Sequence, residues 1–205
     1  MALDGTYSGL LASVASWMNR TDLSATIPDF VSIAESRIAR ELRLRTQLVT
    51  TTLTTSTTTR AVALPTDWLE FENVSIAGTP ETACQYVNIE HMDVKYPEAG
   101  YAGRPFVYTI EGANILLGPT PDSAYTVNVM YYARFPSLVS VGANWLLTNH
   151  PNIYLYACMR EGAFFTKDAA GAAQWDGLFK QEVKTLQDQD DEATHSGSAL
   201  RVKTI

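Results

Sequence analysis

Apolar residues recur at helical spacing near both ends of the chain and at alternate positions through its middle. Tyr7, Leu10, Leu11, Val14, Trp17 and Met18 predict an amphipathic helix that stops near Asn19. A second helix comes next, with Thr26 as cap, Pro28 in the first turn, and Phe30, Ile33, Ala34, Ile38 and Leu42 on one face. Its other side carries Arg37, Arg40, Arg43 and Arg45. From Gln47 the period changes to two. Val49, Leu53, Val62 and Leu64 alternate through a Thr-rich run, and β-branched Thr favours extended backbone, so a hairpin is expected there rather than a linker. Further strands are expected at residues 69–77, 84–89, 105–111, 114–117 and 124–133, with Glu111-Gly112-Ala113 as a hairpin turn. Helix returns after Asn149, where Pro151 suits a first turn, Tyr154, Ala157, Cys158 and Phe165 share a face, and Ala157, Gly162 and Ala163 permit close helix approach. A last stripe, Ala172, Trp175, Leu178, Phe179, Val183 and Leu186, fades into the acidic run from Asp188 to Glu192.

The expected fold is α+β: a helical bundle formed by residues 1–46 and 149–188, an antiparallel β domain over residues 47–148 inserted between them, and an extended C-terminal tail over residues 189–205. No internal repeat of fixed period interrupts this order.

Composition narrows the functional classes. The 205 residues are 46% hydrophobic and only 18% charged, a globular chain with a substantial core and a charge-poor surface suited to buried interfaces. Fifteen basic against twenty-two acidic residues give a net charge of −7, which argues against a general binder of phosphate backbones. Cys84 and Cys158 lie far apart in segments of different type, so two core thiols in a reducing compartment are expected rather than a disulfide. The N-terminal MALDGTYSGLL lacks a basic region before an apolar run, and no stretch of about 18 apolar residues occurs, so neither a signal peptide nor a membrane span is expected.

Candidate chemistry is sparse. His91, His150 and His195 stand in separate segments with no HExxH and no Cys/His cluster, and nucleophile-elbow, phosphate-loop and dinucleotide motifs are all missing, so no catalytic residue, metal or cofactor is expected. Glu70 and Glu72 flank Phe71 on a strand and would face one side, either as solvent-facing acids or as the carboxylate pair of a glycosidase. Tyr131, Tyr132 and Trp145 fit sheet filling or, in a carbohydrate-binding module, a stacking platform. The arginine face admits three readings: a solvated face with Glu41 supporting Arg45, salt bridges to another subunit, or contact with nucleic acid. The tail alternates Leu200, Val202 and Thr204 with Arg201 and Lys203, as expected of an extended segment laid on a partner's sheet edge or groove. Leu200 and Val202 would be its anchors, with Ile205 at its end.

The order of parts has a likeness. IPDFVSIAESRIARELRLR, then LPTDWLEFENVSI, then GRPFVYTIEGANILLGPTPDSAYTVNVMYYARFPSL, NWLLTNHPNIYLYACMREGAFF and AAQWDGLFKQEVKTL together resemble the head-to-tail adaptors of tailed bacteriophages, whose relatives include the tail tubular protein A type of short-tailed phages. The likeness runs from about Tyr7 to Leu186. It implies a structural virion protein without a catalytic site or cofactor, forming a homo-oligomeric ring, usually a dodecamer. Such a ring sits in the virion neck between the portal protein and the tail nozzle or tube, extends the channel through which phage DNA passes unbound, and contacts no membrane. Assembly in the host cytoplasm goes with it. A closed ring needs heterologous interfaces, for which Arg37, Arg40, Arg43, Arg45, Leu200, Val202 and Ile205 are the candidate contact residues.

Overall fold

The structure, a computed structural model, describes residues 3–97 and 102–194. Among these it is a mixed α+β protein with seven α-helices and two four-stranded sheets. The chain divides into two compact units, one from Met1–Arg45 with Phe135–Ile205, the other Thr46–Arg134. Residues 135–148, expected with the strands, belong to the helical unit.

In the helical unit, α1 (Tyr7–Met18) is capped by Thr6, whose Oγ1 accepts a hydrogen bond from Gly9 N at 3.1 Å, and ends at Asn19 in the left-handed region. Helix α2 (Ile27–Glu41) starts with Pro28 in its first turn, but the expected cap Thr26 makes no side-chain bond to the helix. Two short helices not foreseen from the pattern, α4 (Leu138–Val141) and α5 (Trp145–Asn149), lead into α6 (Pro151–Phe165) and α7 (Ala169–Thr194). The centre is α6, which packs against α1, α2, α5 and α7 and buries Tyr154, Leu155 and Cys158. Gly162 permits the closest approach, since a Cβ there would lie 2.7 Å from the Met18 side chain of α1. Full burial of a side chain such as Tyr154 or Phe179 contributes about 1.5–3 kcal/mol each, so this core holds the helices together without disulfides.

Helix α7 outlasts its apolar stripe. Residues 189–194, expected to be extended, are helical, because this end has partners: Gln187 Nε2 donates to Glu41 O at 3.0 Å, and Asp190 binds Arg45. Residues 195–205, with His195, Leu200, Val202 and Ile205, lie outside the described residues.

In the other unit, sheet A runs in the order β1 (Leu48–Thr54), β8 (Thr126–Ala133), β3 (Trp68–Ile76) and β4 (Thr82–Ala83). Sheet B runs β2 (Ala61–Ala63), β7 (Asn114–Gly118), β6 (Val107–Glu111) and β5 (Gln85–Tyr86). Val74, Ile76, Val127 and Val129 from sheet A share one core with Ile115 and Leu117 from sheet B. The Thr-rich run is therefore not a hairpin: β1 pairs with β8 and β2 with β7, in different sheets. The turn at Gly112, where φ is +58°, joins β6 to β7 as expected. Residues 84–89 hold only the two-residue β5, which pairs parallel with β6, before Asn88 caps the helix α3 (Ile89–Lys95). Among the described residues the named strands of this unit pair antiparallel except β5 with β6, and an isolated parallel bridge joins Ala102 to Thr120.

Candidate functional site

The four arginines that sequence spacing groups on one face separate in the structure. Helix α2 ends at Glu41 and Leu42 is extended, so Arg43 and Arg45 lie beyond the helix and its periodicity no longer places them. Arg37 is only 6% exposed. Its Nε donates to Glu41 Oε1 at 2.8 Å, its Nη2 lies 2.6 Å from Asp176 Oδ1, and its guanidinium stacks 4.4 Å from the centre of the Phe179 ring. Asp176 also meets Arg160 Nε at 3.0 Å and Lys180 Nζ at 2.8 Å, while Arg160 is in contact with Glu161. Burial alone would raise the Asp176 pKa, but its bonds to Lys180 and Arg37 outweigh burial and hold the carboxyl below the usual carboxylate range. Arg43 Nη1 donates to the Ala39 and Leu42 carbonyls, each at 2.8 Å. Arg45 does not pair with Glu41; its backbone N–H and Nε reach Asp190 at 2.7 and 3.1 Å. Arg40 is exposed and has no hydrogen bond or ion pair among the described residues. Asp176 and Asp190 are invisible to local reasoning, because both act across a long sequence separation.

The other candidates for chemistry disperse as well. Glu70 and Glu72 are exposed on β3, whose register shifts on either side of Phe71. Tyr131 is a core residue whose hydroxyl donates to Asp67 Oδ1 at 3.0 Å, and burial pushes that hydroxyl up to about 12. Trp145, in the helical unit, stacks on Phe135 with centroids 6.3 Å apart. Tyr131 and Tyr132 are neighbours on β8 and face opposite sides of its sheet, so they do not share a platform. Among the described residues no group of His, Cys, Asp and Glu is arranged to hold a metal ion, and no helix is long and apolar enough to cross a membrane. Both thiols are free; burial raises the Cys84 thiol to about 11 and pushes that of Cys158 well above the usual range.

What the surface does carry is apolar. Trp17, Phe164 and Phe165, at the C-terminal ends of α1 and α6, are each more than half exposed. Val139, Val141 and Trp145 form a second group on α4 and α5. In the β-containing unit, Tyr86, Val94 and Phe106 are exposed, Val94 to 85%. The sequence pattern places Trp17 and Phe165 on buried faces, yet Phe165 only rests on Phe30 and Trp17 on Trp175, at centroid distances of 5.6 and 5.9 Å. The adjacent pair Phe164-Phe165 stands in the last turn of α6, where the helix ends and less of the core remains to cover it.

No curated protein matches the chain. The family model described as SU10 adaptor protein matches residues 5–203, nearly its whole length. A chain matched end to end in this way, with exposed apolar surfaces, belongs to the SU10 adaptor protein family, a family of phage structural adaptors.

Proposed function

We propose that the protein is a head-to-tail adaptor of the tail tubular protein A type. Copies form a homo-oligomeric ring, a dodecamer, in the virion neck, joining the portal protein to the tail nozzle or tube and extending the DNA channel. In this reading the helical segments form one bundle with the β unit inserted, and rings assemble in the host cytoplasm before joining the virion.

The observation that carries the reading is the exposure of large apolar side chains on different helices of the helical unit, Phe164 and Phe165 on α6 and Val139, Val141 and Trp145 on α4 and α5. A heterologous contact needs two different patches, and repetition of such a contact around an axis closes a ring. Of the arginines, Arg37 and Arg43 are committed within the subunit, so Arg40 and the half-exposed Arg45 are the ones placed to meet acidic groups of a neighbour. Leu200, Val202 and Ile205 supply a further contact from the tail to the portal or to a neighbouring adaptor. The net charge of −7 suits a channel wall that lets the phosphate backbone slide past.

Measurement of particle mass, by light scattering and electron microscopy of the protein alone and with its portal protein, tests this. Rings, alone or on the portal, are expected. A protein that stays monomeric at micromolar concentration in both conditions overturns the reading.

A further inference from the structure

We propose that the outer edge of β1 receives an extended segment, residues 199–204, from a second copy of this chain, adding a strand to sheet A. The inference rests on the ring reading and names the surfaces through which neighbouring copies join.

The four sheet edges are unequal. Strands β4 and β5 have two residues each and β2 has three, whereas β1 presents seven. Its sequence LVTTTLT carries no charge and no Pro, and its register with β8 is unbroken from Leu48 to Thr54, so no bulge turns the edge away. Beyond β8, no strand and no backbone hydrogen bond satisfies β1 among the described residues. Folded proteins usually blunt an edge of that length with charge, Pro or a bulge, because it templates pairing with another chain.

The side chains are incomplete on the same edge. Val49, Thr51 and Leu53 stand opposite Tyr131, Val129 and Val127, the core-facing residues of β8. Val49 is nevertheless 40% exposed, so the core face lacks a cover at this edge. A strand with Leu200 and Val202 on the inner side would supply it, leaving Arg201 and Lys203 beside the outward Thr50 and Thr52. The two-residue period of SALRVKT matches this demand.

Reach and symmetry select the occupant. Eleven residues, 195–205, can span at most about 36–40 Å, more than the length of a seven-residue strand. An edge and a strand are two different surfaces, so each copy gives one and receives the other, the head-to-tail arrangement that a closing ring requires.

Full-length copies carrying Thr52→Cys, mixed with full-length copies carrying Arg201→Cys and oxidised, test the pairing. In an equal, randomly mixed head-to-tail array about half of the protein should run as a disulfide-linked dimer on a non-reducing gel, and Val202→Pro, which removes a backbone donor from the tail, should lower that yield at least tenfold. Rings without the dimer overturn the proposal and leave the ring reading standing. Loss of both rings and dimer overturns both, and a dimer without rings supports the strand pairing alone. When both cysteines are placed in one chain, the pairing gives a ladder of linked oligomers, whereas an internal disulfide to the exclusion of that ladder assigns the tail to its own subunit and also overturns the proposal.

Discussion

Asp176 concentrates more charge around it than any other side chain among the described residues. It meets Arg37 from α2, Arg160 from α6 and Lys180 from its own helix, and so ties three helices at one point. Replacing it with Asn leaves the nearly buried Arg37 with Glu41 as its single ion-pair partner. Leaving a buried cation short of its partner costs more than the pair itself contributes, so Asp176→Asn should destabilise the protein by about 1–3 kcal/mol at pH 7, read as a fall in thermal midpoint. The lowered pKa sets the pH dependence. A carboxyl whose folded pKa lies below its unfolded value, about 4, contributes fully above that value and loses its contribution as pH falls through the folded one. Wild type and variant should therefore converge as pH falls through the folded value, and a gap that stays the same from neutral pH down to the acid limit of the folded state would show that Asp176 acts through packing alone.

Among the elements, α2 shows how a helix positions a distant stretch of chain. Glu35, on its exposed side by pattern, accepts from Leu138 N at 2.6 Å and from Ser137 Oγ at 2.9 Å, capping α4 from another element. Those bonds draw residues after Phe135 into the helical unit, and no local signal announces them. Glu35→Ala should cost about 0.5–2 kcal/mol, by analogy with loss of a helix cap, and speed amide exchange at Leu138. Glu35→Gln should restore part of the loss, because the amide oxygen still accepts; a glutamine variant no better than the alanine one would mean that the charge, not the acceptor, matters. The elements legible in the sequence are those with long, clean periods: α2, α6 and β8, whose inward residues Val127, Val129 and Tyr131 alternate without error. The Thr-rich run is legible as extended chain, but its partner is not, since alternation fixes which residues face inward and says nothing about which strand lies alongside. Helices α3, α4 and α5 are too short to show a period at all. The same limit hides the fate of the arginines: spacing places four cations on a helix that stops at Glu41, and the acids that Arg37 and Arg45 reach sit on α7.

At the scale of the whole molecule, the adaptor family is recognisable from the order of segments, although no single motif carries it. The unit Thr46–Arg134 is contiguous in sequence, and its two ends lie side by side: Leu48 pairs with Tyr132, and Gln47 Nε2 donates to Ala133 O at 3.1 Å. A segment whose ends meet can be inserted into a surrounding fold without forcing that fold's own chain apart. It also has what independent folding demands. Its sheets share the core around Val127, Val129 and Ile115, a smaller cluster packs Met92 and Tyr96 on Val107, and Arg60 fastens α3 through Asp93 at 2.7 Å. A domain of this size buries only about 60–65% of its unfolded surface, so its stability is expected to be modest. Residues 46–134 expressed alone should nonetheless unfold cooperatively, with a β-rich circular dichroism spectrum and dispersed amide resonances. Collapsed amide dispersion with residual β signal would mean that packing inside this unit depends on the helical one, and the two cores could then no longer be treated as separate sources of stability.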